Sequence, residues 1–427
     1  MDTVHNIIKS ITDMGATAIL PIIITVLGLV FRMKIGNAIK SGLLVGVGFL
    51  GLTLVVGLLN SSLKPAVDYY AKIGSGFTIA DIGWPAVGAA SWVPPFAALA
   101  IPLGLIINLV LVRLRWTKTL NVDIWNYMHF LIPGALAYFL FDSFWLGLVV
   151  TLVMSVIALF VGDLIASKWQ EYFGLEGTTC TTIIYSAWGY PIAWLVNRII
   201  DFIPGLNKLE FSLSKINKKI GVLGDPVIIG FIVGLVLGAI TKRPVTEIVT
   251  MATGIAGVMV LMPKVVGVMM DGLSPIGKSA KDFMIKRMGN NSNLNVGMDI
   301  ALGLGDPTTI TTTVVSIPIV MLLALILPGV QFFPIGLLMS VTYISVMCTL
   351  TSKGNLFRSI VSTVVFCIIT FYLAGFVAPG ATQMLNSAGV ELKGLGTDVT
   401  FPEIWNLLNN ETDFTFNICC RFNELKK

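Results

Sequence analysis

The stretch "LPIIITVLGLVF", residues 20–31, runs for twelve residues without a charge and without alternation of apolar and polar positions. A transmembrane β-strand faces lipid with every second side chain and the lumen with the others, so it leaves an alternating record in its sequence. An unbroken apolar run is instead part of a spanning helix, which needs about 20 mostly apolar residues. Runs of the same kind recur at 16–31, 41–59, 96–112, 143–161, 225–241, 248–270, 313–330, 333–350 and 358–378. With broken segments added, roughly ten to twelve membrane passages are expected, in an all-α polytopic membrane protein. Composition agrees. Of 427 residues 55% are hydrophobic and only 12% are charged, with mean hydropathy +0.87, against about 25% charged in a soluble domain.

The net charge of +5 comes from basic residues gathered at helix ends, such as Arg113, Arg115 and Lys118, where they favour the cytoplasmic side. The charge therefore does not imply nucleic acid. Met1 to Asp13 lacks the build of a cleavable leader and reads as an amphipathic preamble to the first span. Five cysteines (Cys180, Cys348, Cys367, Cys419 and Cys420) show neither metal-ligand spacing nor a disulfide framework. With His5 and His129 the only histidines, a His-rich metal site is excluded. The sequence holds no Walker motif, no nucleophile turn and no zinc signature, and no cofactor is expected. "GNAIKSG" and "GVGFLG" lie on spans and read as close helix packing.

The chain also matches itself. At an offset of 210 residues Gly28 falls on Gly238, Arg32 on Lys242, Gly57 on Gly267 and Pro65 on Pro275; one insertion of eight residues then brings Asp81 onto Asp299. Two related halves with the substrate at their interface are a common transporter plan. This predicts one membrane domain over 1–427. A first repeat occupies 16–130, additional helices and a hairpin 131–200, an amphipathic linker 201–224, a second repeat 225–378 and an atypical C-terminus 379–427. It also pairs "ADIGWPAVGAASW" (80–92) with "GMDIALGLGDPTT" (297–309), both Gly/Pro-interrupted in the manner of broken helices lining a cavity. The segment 274–293 reads as a polar basic linker.

An ionised group at bilayer depth costs at least about 2.5 kcal/mol, so a buried acid marks function. Asp81, with Trp84 beside it, lies in the first broken element, and Asp299 and Asp306 lie in the second. "NVDIWNYMH" sets Asn126 and His129 three apart, on one helix face. The same pattern fits an interfacial helix with its aromatic rings at headgroup level. "GLEGTTCTTIIYSAWGYP" joins Glu176 to a threonine cluster beginning at Thr178 and to Tyr185, Trp188 and Tyr190, a site-lining hairpin. Carboxylates, an amide, hydroxyls and rings together suit a polyol, whose C–H faces stack while its hydroxyls pair.

At "NVDIWN", "FGLEG", "GDPVIIGFIVGLVLG", "LMPKVVGVMMDGLSPIGKSA", "GMDIALGLGDPTT" and "KGNLFRS" the chain resembles the membrane component, enzyme IIC, of the galactitol-specific phosphoenolpyruvate-dependent phosphotransferase system, over residues 10 to 405. The resemblance implies the ascorbate–galactitol superfamily, with inverted repeats, a homodimeric scaffold and a core domain that moves as an elevator. It implies a multi-pass protein of the bacterial cytoplasmic (inner) membrane that brings an external polyol inward. A separate enzyme IIB, itself supplied by enzyme IIA, then phosphorylates the polyol from a phosphocysteine. The chain would be the membrane subunit of a galactitol phosphotransferase without a phosphorylation site of its own. On this reading Asp299, Asp306, Glu176, His129 and Asn126 hold the polyol between the broken-helix tips and Trp84 forms a stacking wall, with Asp81 and Thr178 completing the candidate set. Two departures stand out. Related galactitol proteins carry a histidine where "TTCTT" runs here and another at the place of Asp306, and "NNETDFTFNICCRFNELKK" replaces a further apolar span, as a truncation or a change of frame would. The rival readings are an ion-coupled secondary transporter of a polyol or other small hydroxylated solute, its acids binding H⁺ or Na⁺, and a receptor or scaffold without transport.

Overall fold

The computed structural model describes residues 15–73, 79, 81, 87–88, 90–91, 93–121, 123, 125–209, 225–288, 294–334 and 337–387. They form an all-α membrane protein: α1 (Gly15–Val30), α2 (Ile35–Ile73), α3 (Ala97–Arg113), α4 (Trp125–Phe141), α5 (Phe144–Phe173), α6 (Ile183–Phe202), α7 (Pro226–Ile240), α8 (Val245–Met288), α9 (Pro307–Ile326), α10 (Leu337–Thr351) and α11 (Leu356–Ser387). Three short strands interrupt them, β1 (Thr119–Asn121), β2 (Thr178–Cys180) and β3 (Asn295–Met298). Among the described residues four helices are long and apolar enough to cross a membrane, within α5, α8, α9 and α11, and shorter apolar helices lie in α2, α3, α7 and α10. A helix saturates its own backbone hydrogen bonds, which is what lipid demands.

The two helical hairpins α1–α2 and α7–α8 close with one turn. Arg32 (φ 61°) and Lys242 (φ 54°) stand in the left-handed region just past the first helix. The next N–H reaches back six residues inclusive, Met33 to the Gly28 carbonyl at 2.9 Å and Arg243 to the Gly238 carbonyl at 3.2 Å, the Schellman closure of a helix end. A Cβ on Gly28 would stand 2.9 Å from Cβ of Ala38, and one on Gly238 would stand 3.0 Å from Cα of Ile248. Each hairpin thus closes on the absence of a side chain at positions 210 residues apart. α2 and α8 then run against each other as the longest helices described, 39 and 44 residues. At 1.5 Å per residue they reach about 60 Å, twice a hydrocarbon core of about 30 Å.

Several expectations are corrected. Residues 274–288 continue α8 rather than forming a linker; Lys, Ala, Met and Arg there are good helix formers. The runs 313–330 and 333–350 are displaced to α9 and α10, because Pro328–Gly329 and Pro334 end one helix and delay the next. Helices α4 and α11 run through residues 130 and 378. Residues 210–224, most of the expected amphipathic linker, and 388–427 lie outside the described residues. Cys180, Cys348 and Cys367 are buried free thiols.

Candidate functional site

β1, β3 and β2 form a parallel sheet in that order, with Leu120 opposite Val296 and Thr179 opposite Gly297. Open strand edges do not survive at membrane depth unless protein covers them. Here amide side chains do so. Asn108 of α3 donates to the Thr119 carbonyl at 2.9 Å and accepts from the Asn121 N–H at 2.8 Å, standing in for a strand beyond β1. On the other side Gln170 of α5 donates to the Thr178 carbonyl at 3.0 Å and accepts from the Gly177 N–H at 3.2 Å. Asp163, also on α5, takes the hydroxyls of Thr117 and Thr119 and the Lys118 N–H, at 2.7 to 3.1 Å. Gly297 sits at the centre because a Cβ there would meet Cγ2 of Thr181 at 2.7 Å.

The sheet delivers Asp299, immediately after β3, into a polar network. Asp299 caps the 3₁₀ turn Ile300–Gly305 by accepting from the Ala301 N–H at 2.7 Å. Its other carboxylate oxygen lies 3.2 Å from the Thr182 hydroxyl. That hydroxyl also lies 2.9 Å from Oδ1 of Asn126 and accepts from the Ile300 N–H at 2.9 Å. Asn126 turns its amide nitrogen to Oγ1 of Thr181, 2.9 Å, and to Oδ1 of Asn121, 3.3 Å. Asn126, Thr181 and Thr182 are all fully buried. The Thr182 hydroxyl has one proton for two acceptors, Asn126 and Asp299, so the carboxylate competes for a donor it shares.

One helical turn along α4 and α6 the same helices line a cavity of ≈350 Å³, at the small end of ligand sites, which span about 300–1,000 Å³. His129 lies three residues after Asn126, and Tyr185 three after Thr182, each on the face of its network partner. The two rings meet edge to face at 6.0 Å, and Tyr185 stacks on Tyr343 at 5.6 Å. Trp188, Ser340, Asp81 and Thr370 also face it, with Phe332, Phe366 and aliphatic side chains forming the rest of the wall. Asp81 accepts from the Leu337 N–H at 2.7 Å, at the start of α10.

Asp299, Asn126, His129 and Asp81 are therefore gathered around this network and cavity. Asp306 is not part of that network. It caps α9, its Oδ2 accepting from the Thr309 N–H at 2.7 Å, the Thr309 hydroxyl at 3.0 Å and the Tyr172 hydroxyl at 3.3 Å. Asp225 caps α7 in the same way, also ahead of a proline at N1, the position where a missing N–H costs nothing. Glu176 is exposed on the turn between the left-handed Gly174 and Gly177. The Thr178 hydroxyl is committed to the Leu175 carbonyl, 2.7 Å, and to the Trp169 indole, 3.2 Å. Trp84 lies outside the described residues. Sequence reasoning missed Asn108, Asn121, Asp163, Gln170, Ser340 and Tyr343. Asn108 and Asp163 were visible as lone polar residues in apolar helices; Ser340 and Tyr343 carried no such signal.

Among the described residues no cluster of His, Cys, Asp or Glu has the make-up of a metal site. What the arrangement offers is recognition: a buried acid, amides and hydroxyls next to a ring-lined cavity. The family of PTS system sugar-specific permease components matches residues 10–394. The chain belongs to that family. It is 35% identical over 385 residues to the PTS system galactitol-specific EIIC component of Escherichia coli (strain K12), covering 90% of this chain and 85% of that one. The protein of the same description from Escherichia coli O157:H7 gives the same figures. A putative permease IIC component of strain K12 is 31% identical over 398 residues, 93% of this chain and 91% of that one. This chain is thus an enzyme IIC, a sugar permease of a phosphotransferase system, and a membrane protein.

Proposed function

We propose that this permease carries a polyol of the galactitol class across the bacterial inner membrane for phosphorylation by a separate enzyme IIB, which enzyme IIA recharges. The observation that carries the reading is Asp299 sharing the Thr182 hydroxyl with Asn126, one turn from the cavity of His129, Tyr185 and Trp188. A vicinal hydroxyl can replace Thr182 as donor to the carboxylate, while ring faces take the C–H surface. The names of the two relatives at 35% identity support galactitol as the first polyol to try.

Asp299, Asn126, His129 and Asp81 are assigned to the polyol. Asp306 and Thr178 make their hydrogen bonds outside the cavity and Glu176 stands on an exposed turn, and Trp84 is proposed as a stacking wall. The matched hairpin turns at Arg32 and Lys242 support two repeats, which we take as inverted, in a homodimer whose core moves against its scaffold. The deciding experiment is phosphoenolpyruvate-dependent phosphorylation of a polyol panel by membranes bearing this chain with its cognate IIA and IIB. Galactitol phosphate should form only when all three are present. The buried acid keeps an ion-coupled reading in play: polyol uptake driven by an ion gradient in vesicles without IIB would establish that reading and overturn ours.

A further inference from the structure

A second cleft, ≈490 Å³, opens where α6 ends and α10 turns into α11. Three cations, Arg198, Lys353 and Arg358, line it with one carboxylate, Asp201. Arg358 is committed: its guanidinium donates to Asp201 at 2.7 Å and to the Asn197 and Asn207 carbonyls at 3.3 and 3.4 Å. Arg198 and Lys353 are exposed and make no ion pair among the described residues. Arg198 instead lies over the Trp194 ring, 5.4 Å from its centroid.

The cleft has a side and a direction. The α4–α5 turn carries Asp142 at positive φ, whereas the α10–α11 turn carries Lys353 there; with Lys208, Lys215, Lys218 and Lys219 following α6 in sequence, the positive-inside rule puts the cleft at the cytoplasmic surface. Beside the cleft and back along the helix, α6 exposes Phe202, Ile199, Leu195 and Trp188 along one face, Phe202 at 83%. Apolar side chains on that face suit acyl chains, and two cations without an ion pair among the described residues suit an anionic headgroup. A soluble anion would have no use for the stripe.

We propose that this cleft is a binding site for the phosphate headgroup of an anionic phospholipid, whose acyl chains lie along the exposed face of α6. Basic pockets between helices on the cytoplasmic side are built for such headgroups, each cation near the surface adding about fivefold in affinity. The test is native mass spectrometry of the full chain in detergent, titrated with phosphatidylglycerol or with phosphatidylcholine of the same acyl chains. Phosphatidylglycerol should bind the tighter, and Arg198→Gln with Lys353→Gln should bring it down to the phosphatidylcholine level. Arg198→Lys with Lys353→Arg should keep the preference, and thermal unfolding should be unchanged in both, since both residues are exposed. Equal binding of the two lipids, or a preference that survives the double Gln variant, overturns the proposal. So does displacement of the lipid by millimolar inorganic phosphate, which would assign the cleft to a soluble anion. Cross-linking of Leu195→Cys to a second copy without lipid uptake would assign the face to a subunit contact, with the same consequence.

Discussion

Asp299 and Asp306 stand seven residues apart and both cap the start of a helix, yet they live in different surroundings. Asp306 caps its helix as Asp225 does at the other Asp–Pro in the chain, with proline as the next residue: Asp225 accepts the Val227 N–H, and Asp306 accepts both the N–H and the hydroxyl of Thr309. Asp299 gives one oxygen to its own turn and the other to a hydroxyl that a different helix also claims. The first arrangement is centred on one helix start, with a single longer bond from Tyr172 of α5 at 3.3 Å, whereas the second ties three elements together through a shared hydroxyl and can exchange a partner. A carboxylate in a membrane protein is thus not one kind of signal; what distinguishes the two is whether the donor it holds is shared with another buried acceptor.

The comparison breaks if the wrong acid proves essential. Asp299→Asn should cause the largest loss, lowering polyol binding by about 10- to 100-fold, the worth of a charge-assisted hydrogen bond of roughly 1.5–3 kcal/mol. Isothermal titration with galactitol measures it, and normal binding would remove Asp299 from the site. Asn126→Leu removes buried hydrogen bonds to Thr181, Thr182 and Asn121 and should cost about 1–3 kcal/mol of stability, read as a lower melting temperature in detergent. Asp306→Ala and Asp225→Ala should each cost about 1 kcal/mol as lost caps, and Asp306→Asn almost nothing, because Asn caps as well. A large loss of polyol phosphorylation in Asp306→Asn at unchanged stability would place that acid's charge on the substrate and erase the distinction. Glu176→Gln, on an exposed turn, should change stability by less than about 0.5 kcal/mol and leave phosphorylation as it was.

The spans were legible because lipid imposes one rule along their whole length; only their ends moved, at Pro328–Gly329 and Pro334. The pairing of Gly28 with Gly238 was legible as a repeat, but that both positions close a helical hairpin was not, because the close approach that demands glycine is made by a residue ten positions further on. The polar network was half legible: Asn126 and His129 share a helix face, and periodicity says so. What joins them to Thr182 and Asp299 is a sheet whose strands of three and four residues are too short to leave a period. Glu176 misled for a related reason. Its neighbours Thr178 to Thr182 are buried, but the left-handed glycines on either side turn it outward, and composition cannot register a change of direction.

The amides of Asn108 and Gln170 have a mechanical consequence. Pulling α3 away from β1 would leave the Thr119 carbonyl and Asn121 N–H bare, and pulling α5 from β2 would do the same to Thr178, each at several kcal/mol where water is scarce. These pieces must travel together, as one block, through any cycle of uptake. The contact of α2 with α8 is of another kind, with small residues such as Gly51 and Gly257 lying against Val265 and Leu58. Slippage there works mainly against side-chain packing, so the stiffest joint in backbone terms is the sheet.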